Sequence, residues 1–271
     1  MTRRVRLDAE LVRRGLARSR EHAAQLIQAG SVSVAGSTAR KPATQVGTDV
    51  ALLVREDDDP GWASRGAHKL LGALEVFEPL GLSVAGRRAL DAGASTGGFT
   101  DVLLRRDVRE VVAVDVGYGQ LVWSLQSDPR VQVHDRTNVR TLTPDVIGGP
   151  VDLVVSDLSF ISLRLVLPAL TACCRPEGDL VLMVKPQFEV GKDRLGKNGV
   201  VRDPHLHAEA VTDVCRTADG LGWGTRALAP SPLPGPAGNV EYFCWLRTDA
   251  APAEADAVAR VVADGPLEVE R

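Results

Sequence analysis

The sequence lacks several features that would place the protein in a membrane or outside the cell. No apolar run approaches the roughly 18 residues that a membrane-spanning helix needs. The basic start, MTRRVRLDAELVRRG, lacks the apolar stretch of a signal peptide. The four cysteines show no CxxC spacing, so the pattern favours neither a zinc site nor a disulfide framework. We therefore expect a cytoplasmic protein with no membrane partner and no bound metal.

Lysine is also scarce, with five lysines among 32 basic residues. Since arginine cannot give up its proton in a protein, a retained lysine can mark a place where a proton is exchanged. Lys185 closes the apolar strand VLMVK, and a buried lysine there could act as a base. The alternative is a surface lysine that keeps its stem on apolar surface and its ammonium group in solvent.

Charge is distributed unevenly along the chain. The formal net charge of -3 argues, by itself, against a nucleic-acid partner. Residues 1–55, however, hold ten Lys/Arg against four acids, a net charge of +6, and the remainder carries −9. This asymmetry indicates a basic binding arm attached to an acidic body.

The order of predicted elements indicates two domains of different class. The N-terminal region has helix, turn, helix and short strands, with Ser19 as the predicted N-cap of the second helix. The segment EDDDPGW is typical of a linker. Beyond it, apolar segments of strand length alternate with helical segments, which predicts an α/β fold with a parallel sheet covered on both faces. The predicted strands are 87–90, 109–116, 151–157, 179–185 and, later, 239–247.

A glycine-rich turn after the first of these strands is the strongest local motif. It comprises Gly93, Ala94, Ser95, Thr96, Gly97, Gly98 and Phe99. Ser95 replaces the second glycine of a dinucleotide-binding fingerprint, and that glycine lets a pyrophosphate approach. Asp115 lies about twenty residues on, where a carboxylate can hold ribose hydroxyls. The motif therefore favours a nucleoside ligand without a diphosphate, such as S-adenosylmethionine, over an ordinary tight turn. Asp135 is either a contact to the base or a surface acid.

Two further acids lie at the ends of predicted strands. Asp157 closes VDLVVSD, where open α/β sheets bind ligands, although it could also cap the next helix. Glu241 lies in NVEYFCW, either as an outward charge or as a buried partner for a lysine. Together with lysines, these acids form a plausible site for deprotonating a hydroxyl.

Five segments closely resemble the TlyA-type ribosomal RNA methyltransferases. They are SRGAHKL (64–70), GASTGGFTD (93–101), DVGYGQL (115–121), SDLSFISL (156–163) and VKPQFE (184–189). The larger part also resembles the FtsJ/RrmJ group of 2′-O-ribose methyltransferases, and residues 5–55 resemble the S-four RNA-binding domain. The resemblance implies a Rossmann-like class I methyltransferase fold over 64–271, a linker over 56–63 and a small α+β RNA-binding domain over 1–55.

The resemblance also implies an activity and a site. The activity is 2′-O-methylation of cytidine in ribosomal RNA of both subunits by a monomer, with S-adenosylmethionine as methyl donor. The implied catalytic tetrad is Lys69, Asp157, Lys185 and Glu241, in which neutral Lys185 accepts the hydroxyl proton beside the cation of Lys69. Lys69 is identified by the resemblance alone. The expected RNA contacts are Arg3, Arg4, Arg6, Arg14, Arg18, Arg20, Lys41 and Arg65, and the loop 191–199 is either a cover over the RNA or a surface loop.

Three other functions remain as alternatives. A nicotinamide-dependent oxidoreductase would use a similar sheet, but the missing second glycine argues against it. A cytolytic protein is an alternative because the family includes haemolysins, but the sequence has no long apolar or strongly amphipathic segment. An RNA-binding protein without catalysis is the third alternative, and the complete tetrad argues against it.

Overall fold

The computed structural model describes residues 4–17, 19–28, 30–54 and 61–265. The chain divides into two compact units, residues 1–61 and 62–271. In the described residues, no helix is both long enough and apolar enough to cross a membrane.

The N-terminal unit packs two helices with two small antiparallel sheets. The helices are α1 (Leu7–Arg13) and α2 (Arg20–Gln28), and the strands are β1 (Arg4–Arg6), β2 (Val32–Val34), β3 (Ser37–Thr38), β4 (Gln45–Gly47) and β5 (Leu52–Val54). β1 pairs with β4, and β2 lies between β3 and β5. Ser19 Oγ accepts a hydrogen bond from His22 N at 3.1 Å, which confirms the predicted N-cap of α2.

The second unit contains a seven-stranded sheet. Its strands are β6 (Arg88–Ala92), β7 (Glu110–Val114), β8 (Val131–His134), β9 (Val151–Ser156), β10 (Cys174–Val184), β11 (Gly224–Pro230) and β12 (Tyr242–Arg247). Their order across the sheet is β11-β12-β10-β9-β6-β7-β8. The five strands from β10 to β8 are parallel, and β12 is antiparallel to both of its neighbours.

Helices cover both faces of this sheet. They are α3 (Gly66–Phe77), α4 (Gly98–Arg105), α5 (Trp123–Gln126), α6 (Leu163–Cys173), α7 (Pro186–Glu189), α8 (Pro204–Asp219) and α9 (Ala255–Ala263). Alternate residues of β6 enter different apolar clusters: Leu90 packs with residues of α6, α8 and α9, and Ala89 packs with residues of α3 and α4. The two-sided burial explains the nearly continuous apolar runs of the parallel strands. The predicted α/β class, with a small N-terminal α+β region, is confirmed.

Several strands differ from the sequence-based expectation. β1, β3 and β4 were not predicted, because strands of two or three residues leave little apolar signal. β11 was not predicted either, since it is an edge strand that begins at Gly224 and ends at Pro230. The late strand expected from residue 239 begins at Tyr242, which leaves Glu241 just outside the sheet.

Candidate active site

The chain topology brings the predicted functional residues to one edge of the sheet. The parallel strands β6, β7, β9 and β10 end at Ala92, Val114, Ser156 and Val184. The glycine-rich turn, Asp115, Asp157 and Lys185 directly follow these ends. Because Tyr242 of the antiparallel β12 pairs with Val184, Glu241 lies at the same edge. This is the edge where open α/β sheets bind their ligands.

Lys69 and Glu241 form a buried ion pair. Lys69 Nζ lies 2.5 Å from Glu241 Oε2, and both residues are buried. Lys69 projects from α3, whose apolar face packs on the sheet with Leu70, Leu74 and Phe77. Since a buried charge is tolerated only when it is paired, Glu241 is the buried partner and not an outward charge.

Lys185 and Asp157 form a second ion pair. Lys185 Nζ lies 2.5 Å from Asp157 Oδ1, at an angle outside hydrogen-bond geometry, and donates to Ser159 Oγ at 3.0 Å. Lys185 is buried, so the alternative of a surface lysine is wrong. The structure thus joins the four tetrad residues as two lysine–carboxylate pairs at one edge of the sheet.

The glycine-rich turn after β6 has a backbone that requires glycine at several positions. Gly93 and Gly97 have φ values of +90° and +103°, where a side chain would be strained. A Cβ at Gly93 would lie 3.0 Å from the carbonyl oxygen of Asp157, and one at Gly98 would lie 2.9 Å from Ala67 N. The missing side chains therefore let the turn approach both the loop of Asp157 and the start of α3.

Asp115 and Asp135 hold the loop that follows β7, next to the glycine-rich turn. Asp115 accepts backbone hydrogen bonds from Ser95 N at 2.8 Å and Gly117 N at 2.7 Å, so its carboxylate ties the turn to the loop after β7. Asp135 Oδ2 accepts a hydrogen bond from Gly119 N at 2.8 Å. Both acids therefore shape the loop at which a nucleoside was expected to bind, and their contacts to a ligand stay predictions.

Asp91 is a buried acid beside the candidate site that the residue pattern did not single out. It is fully buried in β6, and its Oδ2 accepts a hydrogen bond from Thr100 Oγ1 at 2.7 Å. Burial, reinforced by the nearby charge of Asp157, raises the pKa of Asp91 to about 7 although the Thr100 hydrogen bond opposes the shift. Its Oδ1 has no hydrogen-bond partner within the described residues. Since the burial of Asp91 comes from packing, the sequence alone did not mark it.

Two aromatic residues near the lysines were also missed. Phe160, in the loop after Asp157, is 91% exposed and has a φ of +64°, which is rare for an aromatic residue. Its ring centroid lies 5.3 Å from that of Phe188 in α7. An exposed aromatic ring in a strained conformation, one residue from Ser159, offers a surface on which a base can stack.

Comparison with known proteins identifies the family. The FtsJ-like methyltransferase model matches residues 62–248, and the S4 domain model matches residues 5–51. The 16S/23S rRNA (cytidine-2′-O)-methyltransferase TlyA of Mycobacterium tuberculosis is 60% identical over 271 residues, which cover 98% of this chain and 100% of that protein. The chain belongs to the TlyA family of FtsJ-like methyltransferases.

Two further proteins are similar to this chain over nearly its full length. Hemolysin A of Brachyspira hyodysenteriae is 33% identical over 88% of this chain and 98% of its own length. A solved structure from Streptococcus thermophilus is 37% identical, with a TM-score of 0.76, and covers 97% of this chain and 96% of that chain. Membership of a methyltransferase family makes the nicotinamide-dependent alternative wrong.

Some of the basic residues predicted to contact RNA are exposed, and others form ion pairs with acids of their own domain. Arg4 and Lys41 are exposed in the N-terminal unit, and Arg65 is exposed at the start of α3 in the second unit. Arg20 is largely exposed and lies 3.1 Å from Asp8. Two other predicted RNA contacts, Arg3 and Arg18, lie outside the described residues.

Two buried acids in the N-terminal unit hold other arginines. Arg6 hydrogen-bonds Asp8 and lowers the pKa of that carboxyl to about 2. Arg13 is the main cause that lowers the pKa of Glu10 to about 2, and Arg14 adds to it. Arg14 also donates to the carbonyl oxygens of Thr48 and Val50, at 2.8 and 2.7 Å. Arg14 therefore cross-links the small domain, while its predicted contact with RNA stays a prediction.

Proposed function

We propose that this protein transfers a methyl group from S-adenosylmethionine to the ribose 2′-oxygen of cytidine in ribosomal RNA. It acts as a monomer in the cytoplasm, on both ribosomal subunits. The observation that carries this proposal is the pair of buried lysine–carboxylate contacts beside the glycine-rich turn. The full-length similarity to the Mycobacterium tuberculosis protein supports the choice of nucleotide and of both subunits.

The residues around the turn fit S-adenosylmethionine. The unpartnered Oδ1 of Asp91 suits the α-ammonium group of the methionine part. The turn from Gly93 to Phe99 lies against the loop of Asp157, and the carboxylate of Asp115 suits the ribose hydroxyls. Bound there, the sulfonium compound supplies an electrophilic methyl group.

The lysine pairs then act on the hydroxyl of the RNA. A ribose hydroxyl is a poor nucleophile and must lose its proton as its oxygen attacks. Lys185, neutral when it acts, accepts this proton at Nζ, and the carboxylate of Asp157, 2.5 Å away, stabilises the ammonium group that results. Lys69, held by Glu241, supplies a fixed positive charge beside the reacting oxygen as it becomes negative.

The RNA is held by two kinds of surface. The exposed basic residues of the N-terminal domain, residues 1–55, pair with phosphates irrespective of sequence. The target nucleotide leaves its helix to reach the buried lysines, and its base stacks on Phe160. The loop 191–199, which exposes Lys192 and Lys197, covers the RNA beside the site.

Mapping of 2′-O-methyl groups tests the proposed function. The protein is supplied to a strain that lacks this methylation, and both ribosomal RNAs are sequenced for methylated ribose. The expected result is one new methylated cytidine in each subunit. Methylation of the large-subunit RNA alone would contradict the two-subunit part, and methylation of neither RNA would contradict the function.

A further inference from the structure

The short segment 185–189 contacts three neighbouring parts of the active site. Lys185 reaches the loop of Asp157, as described above. Phe188 packs against Phe160, and Glu189 Oε1 accepts a hydrogen bond from Leu163 N at 2.7 Å. Between them, Gln187 turns toward Glu241, and its role is not explained by the tetrad.

Gln187 and Lys69 contact opposite oxygens of one carboxylate. Gln187 Nε2 donates to Glu241 Oε1 at 3.3 Å, while Lys69 Nζ lies 2.5 Å from Oε2. The backbone of Gly235 closes a third side, since a Cβ there would lie 2.6 Å from Oε1. The carboxylate is thereby held in one orientation, and the ammonium group of Lys69 is held with it.

The contact with Glu241 leaves one polar atom of the Gln187 amide without a partner among the described residues. A carboxylate only accepts hydrogen bonds, so the amide nitrogen must face Glu241. This leaves Oε1 of Gln187 buried and without a hydrogen-bond partner in the described part of the chain. Because such an oxygen is a cost to folding, the amide is better explained by a role in the site than by stability.

We propose that Gln187 is a positioning residue for methyl transfer, which acts by fixing the carboxylate of Glu241 and, through it, the ammonium group of Lys69. The inference rests on the proposed function of the lysine–carboxylate pairs. Loss of the amide frees Glu241 to rotate and displaces Lys69 from the reacting oxygen. Gln187 itself need not touch the RNA or the cofactor.

Gln187→Met, which keeps the length and shape of the side chain, tests the inference. We expect kcat for methylation of unmodified ribosomal subunits to fall about 10- to 100-fold, with KM for both substrates within threefold and an unchanged melting temperature. Gln132→Met is the matched control, because Gln132 on the edge strand β8 also donates to a carboxylate, that of Glu110 at 2.5 Å, but lies outside the candidate site. We expect its activity to be normal. A normal kcat, or a rise in KM alone, would overturn the inference.

A double-mutant cycle separates positioning from a merely structural role. If Gln187 acts through Glu241, Glu241→Gln with Gln187→Met is no more than about twofold slower than Glu241→Gln alone in single-turnover assays. If the fold-losses in rate of the two single variants multiplied in the double variant, the two residues would act independently and the inference would be overturned. If Glu241→Gln itself keeps the normal rate, the proposed site is wrong. If Glu241→Gln is slow and Gln187→Met is normal, only the positioning role is wrong.

Discussion

Lys185 Nζ lies 2.5 Å from Oδ1 of Asp157, and the two residues directly follow the ends of adjacent parallel strands. In the register of β9 and β10, Ser156 pairs with Leu182. The backbone pairing therefore already brings Asp157 and Lys185 close together. The contact means that the group proposed to accept a proton has its counter-charge already in place. Catalysis then requires little rearrangement of the protein when Lys185 becomes charged.

Asp157→Asn removes this counter-charge while it keeps the shape of the side chain. We expect the single-turnover rate of methyl transfer to fall about 100-fold or more, since the ammonium group of Lys185 loses its stabilising partner. Calorimetry should find the affinity for S-adenosylmethionine within threefold of normal. A variant with a normal rate would show that Asp157 has no part in the reaction.

The affinity for S-adenosylmethionine should depend on the ionisation of Asp91. The pKa of Asp91 is raised to about 7, so the carboxyl is protonated below that pH and must lose its proton to hold an ammonium group. Affinity should therefore rise as pH increases through 7, by roughly 20-fold from pH 5.5 to 7.5. Calorimetry across this range, with Asp91→Asn expected to be weak and independent of pH, checks the assignment. An equal pH dependence in the variant would contradict it.

Phe160→Ala should weaken the binding of RNA and leave the binding of the methyl donor unchanged. Stacking of one base on an aromatic ring contributes about 1–3 kcal/mol, so we expect KM for the ribosomal subunit to rise about tenfold. Affinity for S-adenosylmethionine should stay the same. Leu165→Ala, at an exposed position on α6, serves as the control. If both variants behave alike, Phe160 has no specific contact with the RNA.

Much of the fold could be predicted because the strong signals are local. The apolar runs ending at Asp157 and Lys185 have strand length and β-branched residues, and the glycines after β6 mark the turn. The order of strands and the antiparallel direction of β12 depend on contacts distant in sequence, so the pairing of Glu241 with Lys69 could not be derived from spacing. Lys69 lies on a helix where residue type and spacing alone do not indicate a site, and only the resemblance of the segment SRGAHKL to the family identified it.

The missed residues have a common physical explanation. Asp91 looks like an ordinary strand residue in the sequence, and its raised pKa follows from burial that only packing creates. Gln187 and Phe160 are distinguished by an unpartnered oxygen and by a strained backbone. These properties belong to the folded chain and have no counterpart in residue type or periodicity.

Lys41→Ala and Arg14→Ala should separate RNA contact from domain stability. Lys41 is exposed, so its loss should weaken RNA binding and reduce the salt dependence of the binding constant by about one phosphate contact. Arg14 donates to the carbonyls of Thr48 and Val50. Its loss should lower the thermal stability of the N-terminal unit. Filter binding at several salt concentrations, with melting curves, measures both. If Arg14→Ala melted at the normal temperature and its RNA binding depended less steeply on salt, Arg14 would be an RNA contact and not a stabilising residue.

Replacement of Lys185 tests the central claim most directly. Lys185→Met keeps an unbranched side chain and removes the group that accepts the proton. The measurement is the rate of tritiated methyl transfer from S-adenosylmethionine to unmodified ribosomal subunits, with cofactor affinity determined on the same preparation. We predict no detectable transfer and an affinity for the cofactor within threefold of normal. Near-normal transfer by this variant would contradict the assignment of Lys185 as the base.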